Sequence, residues 1–150
     1  MVPNAKNLLK FYKSSLGPFK HCMPKTLLID CSTIGPLKAQ EIGEEAKANN
    51  LVFIDAPVSG GVKGAQLGTL SFMIGAEDDV IFKKTKEILE PMGRSFYYCG
   101  KVGMGQTAKI CNNLALAIQM RSIAESMNLA QVLGMDQKLL SEIMQNSSAS

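Results

Sequence analysis

Apolar residues fall at helical spacing at the start of the chain. Leu8, Leu9 and Tyr12 share one side of residues 4–12, and Gly17-Pro18 ends that pattern. Two short apolar runs, 26–30 and 51–55, follow as predicted strands. Both are nearly continuous rather than alternating, as parallel strands covered on two faces require. Between them Ser32-Thr33 precedes Pro36, a favoured first-turn residue, which predicts a helix over 37–48. A glycine-rich stretch, 56–68, separates the second strand from a third at 70–75. A helix over 77–90 is opened by acids, which suit its dipole, and stops at Pro91. A fourth strand is predicted at 95–99, a long helix over 104–133 and, after Gly134, a short one over 137–144.

Strands alternating with helices predict an α/β sheet with crossovers. The lack of strand patterns after Cys99 predicts a separate all-helical region, with domains at 1–102 and 103–150. The long helix carries apolar residues almost all round, from Ile110 through Leu133. Such a helix is expected to be buried, either by further parts of the protein or by a partner chain.

Composition narrows the class. The chain has 150 residues, 46% hydrophobic and 19% charged, as folded domains do. A net charge of +3, with lysines scattered, argues against nucleic acid, and no run approaches the ~20 apolar residues of a membrane span. Cys22, Cys31, Cys99 and Cys111 form no CxxC pair and no zinc spacing, so reduced thiols and no metal are expected. The first residues do not read as a targeting peptide. His21, the single histidine, has no nucleophile elbow near it.

Three places carry candidate chemistry. Residues 103–108, GMGQTA, fit the GxGxxA dinucleotide fingerprint after a strand. A true fingerprint helix leads to a second strand bearing an acid about 20 residues on. Here that position is Glu125, still within helix, so a pyrophosphate loop is disfavoured; glycines shaping a strand-to-helix corner are the plain alternative, and the preferred reading is the spacing Gly105-x-x-x-Lys109-x-x-x-Asn113. Lys109 and Asn113, four apart, project from one helix face. A lysine among apolar neighbours loses solvation, its pKa falls, and it becomes a general base. The plain alternative is a surface lysine with an incidental asparagine. Ser59-Gly60-Gly61 follows the second strand, where open α/β sheets collect ligands, and offers N–H groups and a hydroxyl to a carboxylate. The alternative there is an ordinary turn. Asp55 is read as structural.

Residues 1–7 (MVPNAKN), 53–61 (FIDAPVSGG) and 103–113 (GMGQTAKICNN), in this order, resemble the β-hydroxyacid dehydrogenase family over essentially the whole chain. The resemblance implies the second half of a Rossmann-type nucleotide-binding domain followed by the first helices of an all-α C-terminal domain. It implies NAD as cofactor and a small 3-hydroxy acid as substrate. By the same likeness Lys109 and Asn113 are catalytic, and Ser59, Gly60 and Gly61 bind the substrate. Val2, Pro3, Asn7 and Thr33 match positions that contact the dinucleotide. The family's own GxGxxG loop and its ribose-reading acid are expected upstream of these residues, and Val2 stands where leucine is common. The chain is therefore expected to be an internal stretch of the enzyme with little activity alone. The intact enzyme is expected in the mitochondrial matrix, as a homo-oligomer through its helical region. Two other readings stay open: a sibling reductase of glyoxylate, succinic or tartronate semialdehyde, and a non-catalytic interaction module that kept the fold.

Overall fold

Strands β1 (Leu27–Asp30) and β2 (Val52–Asp55) pair in parallel, with Leu28 opposite Phe53. Their apolar runs have two faces to fill, and both are covered. On one face Leu28 and Phe53 pack with Leu8 and Tyr12 of α1 (Ala5–Lys13) and with Ala39, Ile42 and Ala46 of α3 (Pro36–Ala48). On the other, Ile54 joins Phe72 and Ile74 of β4 (Leu70–Gly75) and Leu89 of α5 (Asp79–Leu89). These contacts are read from a computed structural model that describes residues 1–149. The chain divides into two compact units, Met1–Cys111 and Asn112–Ser150.

The first unit holds a five-stranded sheet. Crossover helices join β1 to β2 through α3 and β4 to β5 (Gly93–Gly100) through α5, and each of these pairs is parallel. The strand–helix alternation predicts such crossovers, and the glycine-rich stretch 56–68, which has no predicted helix, departs from them. β4 runs antiparallel to β2, so the sheet is mixed. The connecting stretch contains only the two-residue β3 (Val58–Ser59) and the six-residue α4 (Gly61–Gln66). A helix of that length rises about 9 Å, too little to return the chain to the sheet's opposite end. Instead β2 and β3 meet the same strand in succession. Asp55 lies opposite Gly75, the Met73 N–H donates to the Pro57 carbonyl over 3.0 Å, and Ser59 lies opposite Ser71. This run along β4 leaves Ser59 at the sheet's end with Gly60 and Gly61 beyond it. The short α2 (Pro18–His21), β3 and α4 have no periodic pattern and escape a sequence reading.

Local chemistry explains the helix starts. Pro36 occupies the first turn of α3, and the Asp78 side chain accepts the Ile81 N–H over 2.8 Å to cap α5.

The second unit contains most of α6 (Met104–Val132) and all of α7 (Gln137–Gln145). Between them Gly134 takes a φ of 78°, and Asp136 caps α7 by accepting the Lys138 and Leu139 N–H groups. Along α6, Leu114, Leu116, Ile118, Ile123 and Leu129 are all exposed, as expected of an apolar helix that these 150 residues do not themselves cover. The described chain places no second layer over them.

The core of the first unit is tested by deletion. Ile42 is fully buried against the sheet. Ile42→Ala should lower stability by about 2–5 kcal/mol, measured by urea unfolding.

Candidate active site

The predicted site residues lie on elements far apart in sequence, and a buried carboxylate brings two of those elements together. Asp55 ends β2 and is fully buried. Its Oδ1 accepts the Gly103 N–H over 2.7 Å and its Oδ2 accepts the Gln106 N–H over 2.8 Å. Both donors belong to the entry of α6, whose first amides have no partner within the helix. Glycine on either side makes the room. A Cβ at Gly105 would stand 2.8 Å from Asp55 Oδ2, and one at Gly75 would overlap Oδ1. The glycines of the GxGxxA pattern thus shape the corner at which a strand hands over to α6.

Gln106 extends this anchor. It is fully buried, and its side-chain oxygen accepts the Ile34 N–H over 2.9 Å and the Gly35 N–H over 3.1 Å. Its amide nitrogen donates to the Ser32 carbonyl over 2.8 Å. The side chain therefore satisfies three backbone groups of the loop after β1. Ser32 also donates its hydroxyl to Asp30 Oδ1 over 2.7 Å and accepts the Val2 N–H over 2.8 Å. Nothing in the sequence pattern singles out Gln106. A polar residue in the first turn of an apolar helix is the one signal that could have found it.

One turn beyond Gln106, Lys109 projects toward β3. Its Nζ donates to Ser59 Oγ over 2.9 Å, joining two motifs fifty residues apart. Lys109 is half-buried, and its desolvation holds the ammonium below the usual lysine value. Gly60 and Gly61 follow Ser59 with φ of 133° and 60° and lie exposed. A depression of about 340 Å³ opens beside Ser59, with Lys63 and Arg94 on its rim. These two cations were not predicted. They lend positive potential to a place already rich in hydrogen-bond donors.

The remaining predicted positions are distributed as follows. Val2 is tied to Ser32 as described, while Pro3, Asn7 and Thr33 are exposed. Thr33 sits in the loop at the carboxyl end of β1, where ligands of α/β sheets collect. Asn113 stands exposed on α6, in the second unit. His21 Nε2 lies 2.7 Å from the Ser15 carbonyl oxygen. Among the described residues no cluster of His, Cys, Asp or Glu could hold a metal, and no helix is long and apolar enough to cross a membrane.

Burial pushes the Asp55 carboxyl up to about 6, against the opposing pull of the Gly103 and Gln106 N–H groups, and nearby Asp30 adds to the rise. An acid with a raised folded pKa binds more protons folded than unfolded between about 4 and 6. Its contribution to stability therefore falls as pH rises through that window and is level above it. The stability difference between the parent and Asp55→Asn should shift against the parent by up to about 3 kcal/mol from pH 4 to 6. Paired unfolding curves across that range check it, and parallel pH profiles would contradict it.

Comparison with known proteins adds to this geometry. Residues 1–100 match the family model described as the NAD binding domain of 6-phosphogluconate dehydrogenase. Residues 103–150 match one described as NAD-binding of NADP-dependent 3-hydroxyisobutyrate dehydrogenase. The mouse mitochondrial 3-hydroxyisobutyrate dehydrogenase is 47% identical over 148 residues, covering 99% of this chain and 44% of the relative. An NAD-dependent L-serine dehydrogenase of Pseudomonas aeruginosa is 41% identical over 148 residues, covering 99% of this chain and 49% of the relative. The solved structure of Mycobacterium tuberculosis 3-hydroxyisobutyrate dehydrogenase with L-serine superposes with a TM-score of 0.92 at 37% identity, over 100% of this chain and 50% of the other. The chain spans about half the length of the curated relatives it matches.

Proposed function

The chain belongs to the family of the NAD binding domain of 6-phosphogluconate dehydrogenase, and from that membership we propose that it is part of an NAD-dependent dehydrogenase of 3-hydroxy acids. The reaction is the oxidation of 3-hydroxyisobutyrate to methylmalonate semialdehyde, a step of valine breakdown. The observation that carries this reading is the Lys109 Nζ held 2.9 Å from Ser59 Oγ. A module with no chemistry to perform has no use for a desolvated lysine there.

In this proposal the substrate carboxylate lies against the Ser59 hydroxyl and the exposed backbone of Gly60 and Gly61. Both glycines hold positive φ, which spares the approach any Cβ. Lys109, as the neutral amine, takes the proton of the substrate hydroxyl. Asn113 is assigned the orientation of that hydroxyl, on the family likeness and its four-residue spacing from Lys109. The cofactor, when bound, supplies the hydride acceptor. Val2, Pro3, Asn7 and Thr33 are the residues proposed to hold it: Thr33 stands exposed in the loop after β1, where a nucleotide is suited, and Val2 is hydrogen-bonded to Ser32 of that loop. The functional boundary is placed between residues 102 and 103, where the sheet gives way to helix. The mitochondrial matrix is the proposed compartment, supported by the mitochondrial animal relatives.

L-serine is a second substrate reading. It is also a 3-hydroxy acid, and it appears in the names of one relative and one superposed structure. The ratio of kcat/KM for 3-hydroxyisobutyrate and L-serine separates the two.

In the intact enzyme, Lys109→Ala should lower kcat by about 10²–10⁴-fold, the usual contribution of a positioned acid–base group, with the NAD dissociation constant little changed. Parental turnover in that variant would remove Lys109 from the mechanism. In the parent, kcat should rise with pH through a value below that of an ordinary lysine, as the amine loses its proton.

The exposed apolar residues of α6 support self-association through the helical region. Sedimentation of the 150-residue chain should show dimers or larger species, and a clean monomer at micromolar concentration would count against that interface.

A further inference from the structure

We propose that Gln106 is a positioning residue: its side chain locks loop 32–35 to the first turn of α6 and so sets the spacing between Thr33 and Lys109. The inference rests on the reading of Thr33 as a cofactor contact and Lys109 as the proton acceptor.

Loop 32–35 leaves β1 and opens α3, so the Ser32 carbonyl and the Ile34 and Gly35 N–H groups find no partners in a strand ladder or a helix. One fully buried side chain satisfies all three groups. The amide group is the side chain suited to this, since it offers an acceptor oxygen and a donor nitrogen together. The same residue is held in place through its backbone, because its N–H donates to Asp55 Oδ2. Gln106 therefore stands between the end of β2 and the loop that follows β1. Lys109 lies three residues further along the same helix, less than one turn away. A displacement of loop 32–35 would have to break buried bonds at Gln106 before it changed the distance from Thr33 to Lys109.

Hydride transfer is steep in the separation of its reacting atoms, which must meet at about 3–3.5 Å, and that separation depends on how cofactor and base are held relative to each other. A cofactor fixed by one loop and a base fixed by another helix gain from a direct tie between the two. The chemistry needs no charge on Gln106 and no contact with substrate, which is why it is assigned positioning and not catalysis.

The test compares Gln106→Met, which keeps the length and removes every side-chain hydrogen bond, with Gln106→Glu, which keeps an oxygen for Ile34 and Gly35. Amide hydrogen exchange is read on the 150-residue chain without cofactor. In Gln106→Met the Ile34 and Gly35 amides should exchange more than tenfold faster, while β1 and β2 amides and Gly103 keep parental protection. In Gln106→Glu the two loop amides should stay within about threefold of the parent. In enzyme active with NAD, Gln106→Met should raise the NAD KM and lower kcat together, each by several-fold, unlike Lys109→Ala, which lowers kcat alone. Parental exchange at Ile34 and Gly35 in Gln106→Met would overturn the proposal. So would uniform acceleration of all amides in both variants, or unchanged KM and kcat in active enzyme. Parental turnover of Lys109→Ala would instead overturn the proposed function and leave the exchange result standing, so the two failures are distinguishable.

Discussion

The first unit is organised around one carboxylate that has left water. Asp55 is fully buried, and an isolated buried charge of that kind is too costly to keep. Two N–H groups from the entry of a 29-residue helix answer it. These amides are unsatisfied by the helix itself, and the positive end of the helix favours an anion there. The exchange binds both sides: the carboxylate needs the helix start, and the helix start needs an acceptor. The pair fixes the first turn of α6 against the end of β2, and Lys109 inherits its place from that. Its reach to Ser59 is geometrically downstream of Asp55.

The space for this contact was made by subtraction. Gly75 and Gly105 lie against the carboxylate from β4 and α6, and any Cβ at either would collide with it. This accounts for a pattern that looks like a dinucleotide loop. In a fingerprint loop the glycines admit a pyrophosphate to the backbone. Here the glycine at 105 admits a side chain of the protein's own sheet. The same spacing serves a different anion, and the continuing helix at Glu125, with no strand after it, was the feature that told them apart.

Long periodic segments were legible in the residues alone. The runs at 26–30 and 51–55, the helices on either side and the long helix after Gly103 all stand within a residue or two of their expected positions, because burial on two faces leaves a strong imprint. The stretch between β2 and β4 was not legible. Its turn-back depends on a two-residue strand and a six-residue helix, both below the length at which periodicity can be seen. That stretch decides the strand direction, so the mixed character of the sheet was lost with it. For the site, the Lys109 spacing and the Ser-Gly-Gly turn were readable as separate hints, but their contact was not, since it spans fifty residues. Gln106 carries no motif at all. Its importance lies in three backbone groups of a distant loop, and unsatisfied backbone groups leave no mark in a sequence.

The two titratable groups at the centre of this arrangement are pushed in opposite directions, and the fold keeps them apart. Asp55 is raised by burial, and Lys109 is lowered by burial. Had the two been paired, each would have held the other charged, and the lysine would have been locked as an ammonium. Instead Asp55 has both oxygens on backbone N–H groups, and Lys109 has a neutral hydroxyl as its hydrogen-bond partner. Ser59 can accept from the ammonium or donate to the free amine, so it tolerates both protonation states. A carboxylate at that position would tolerate only one. Opposed pKa values in neighbouring environments are how a single fold assigns acid and base roles. Here one role is structural: a carboxylate that would have quenched the base had they paired instead holds the base's turn of helix in place.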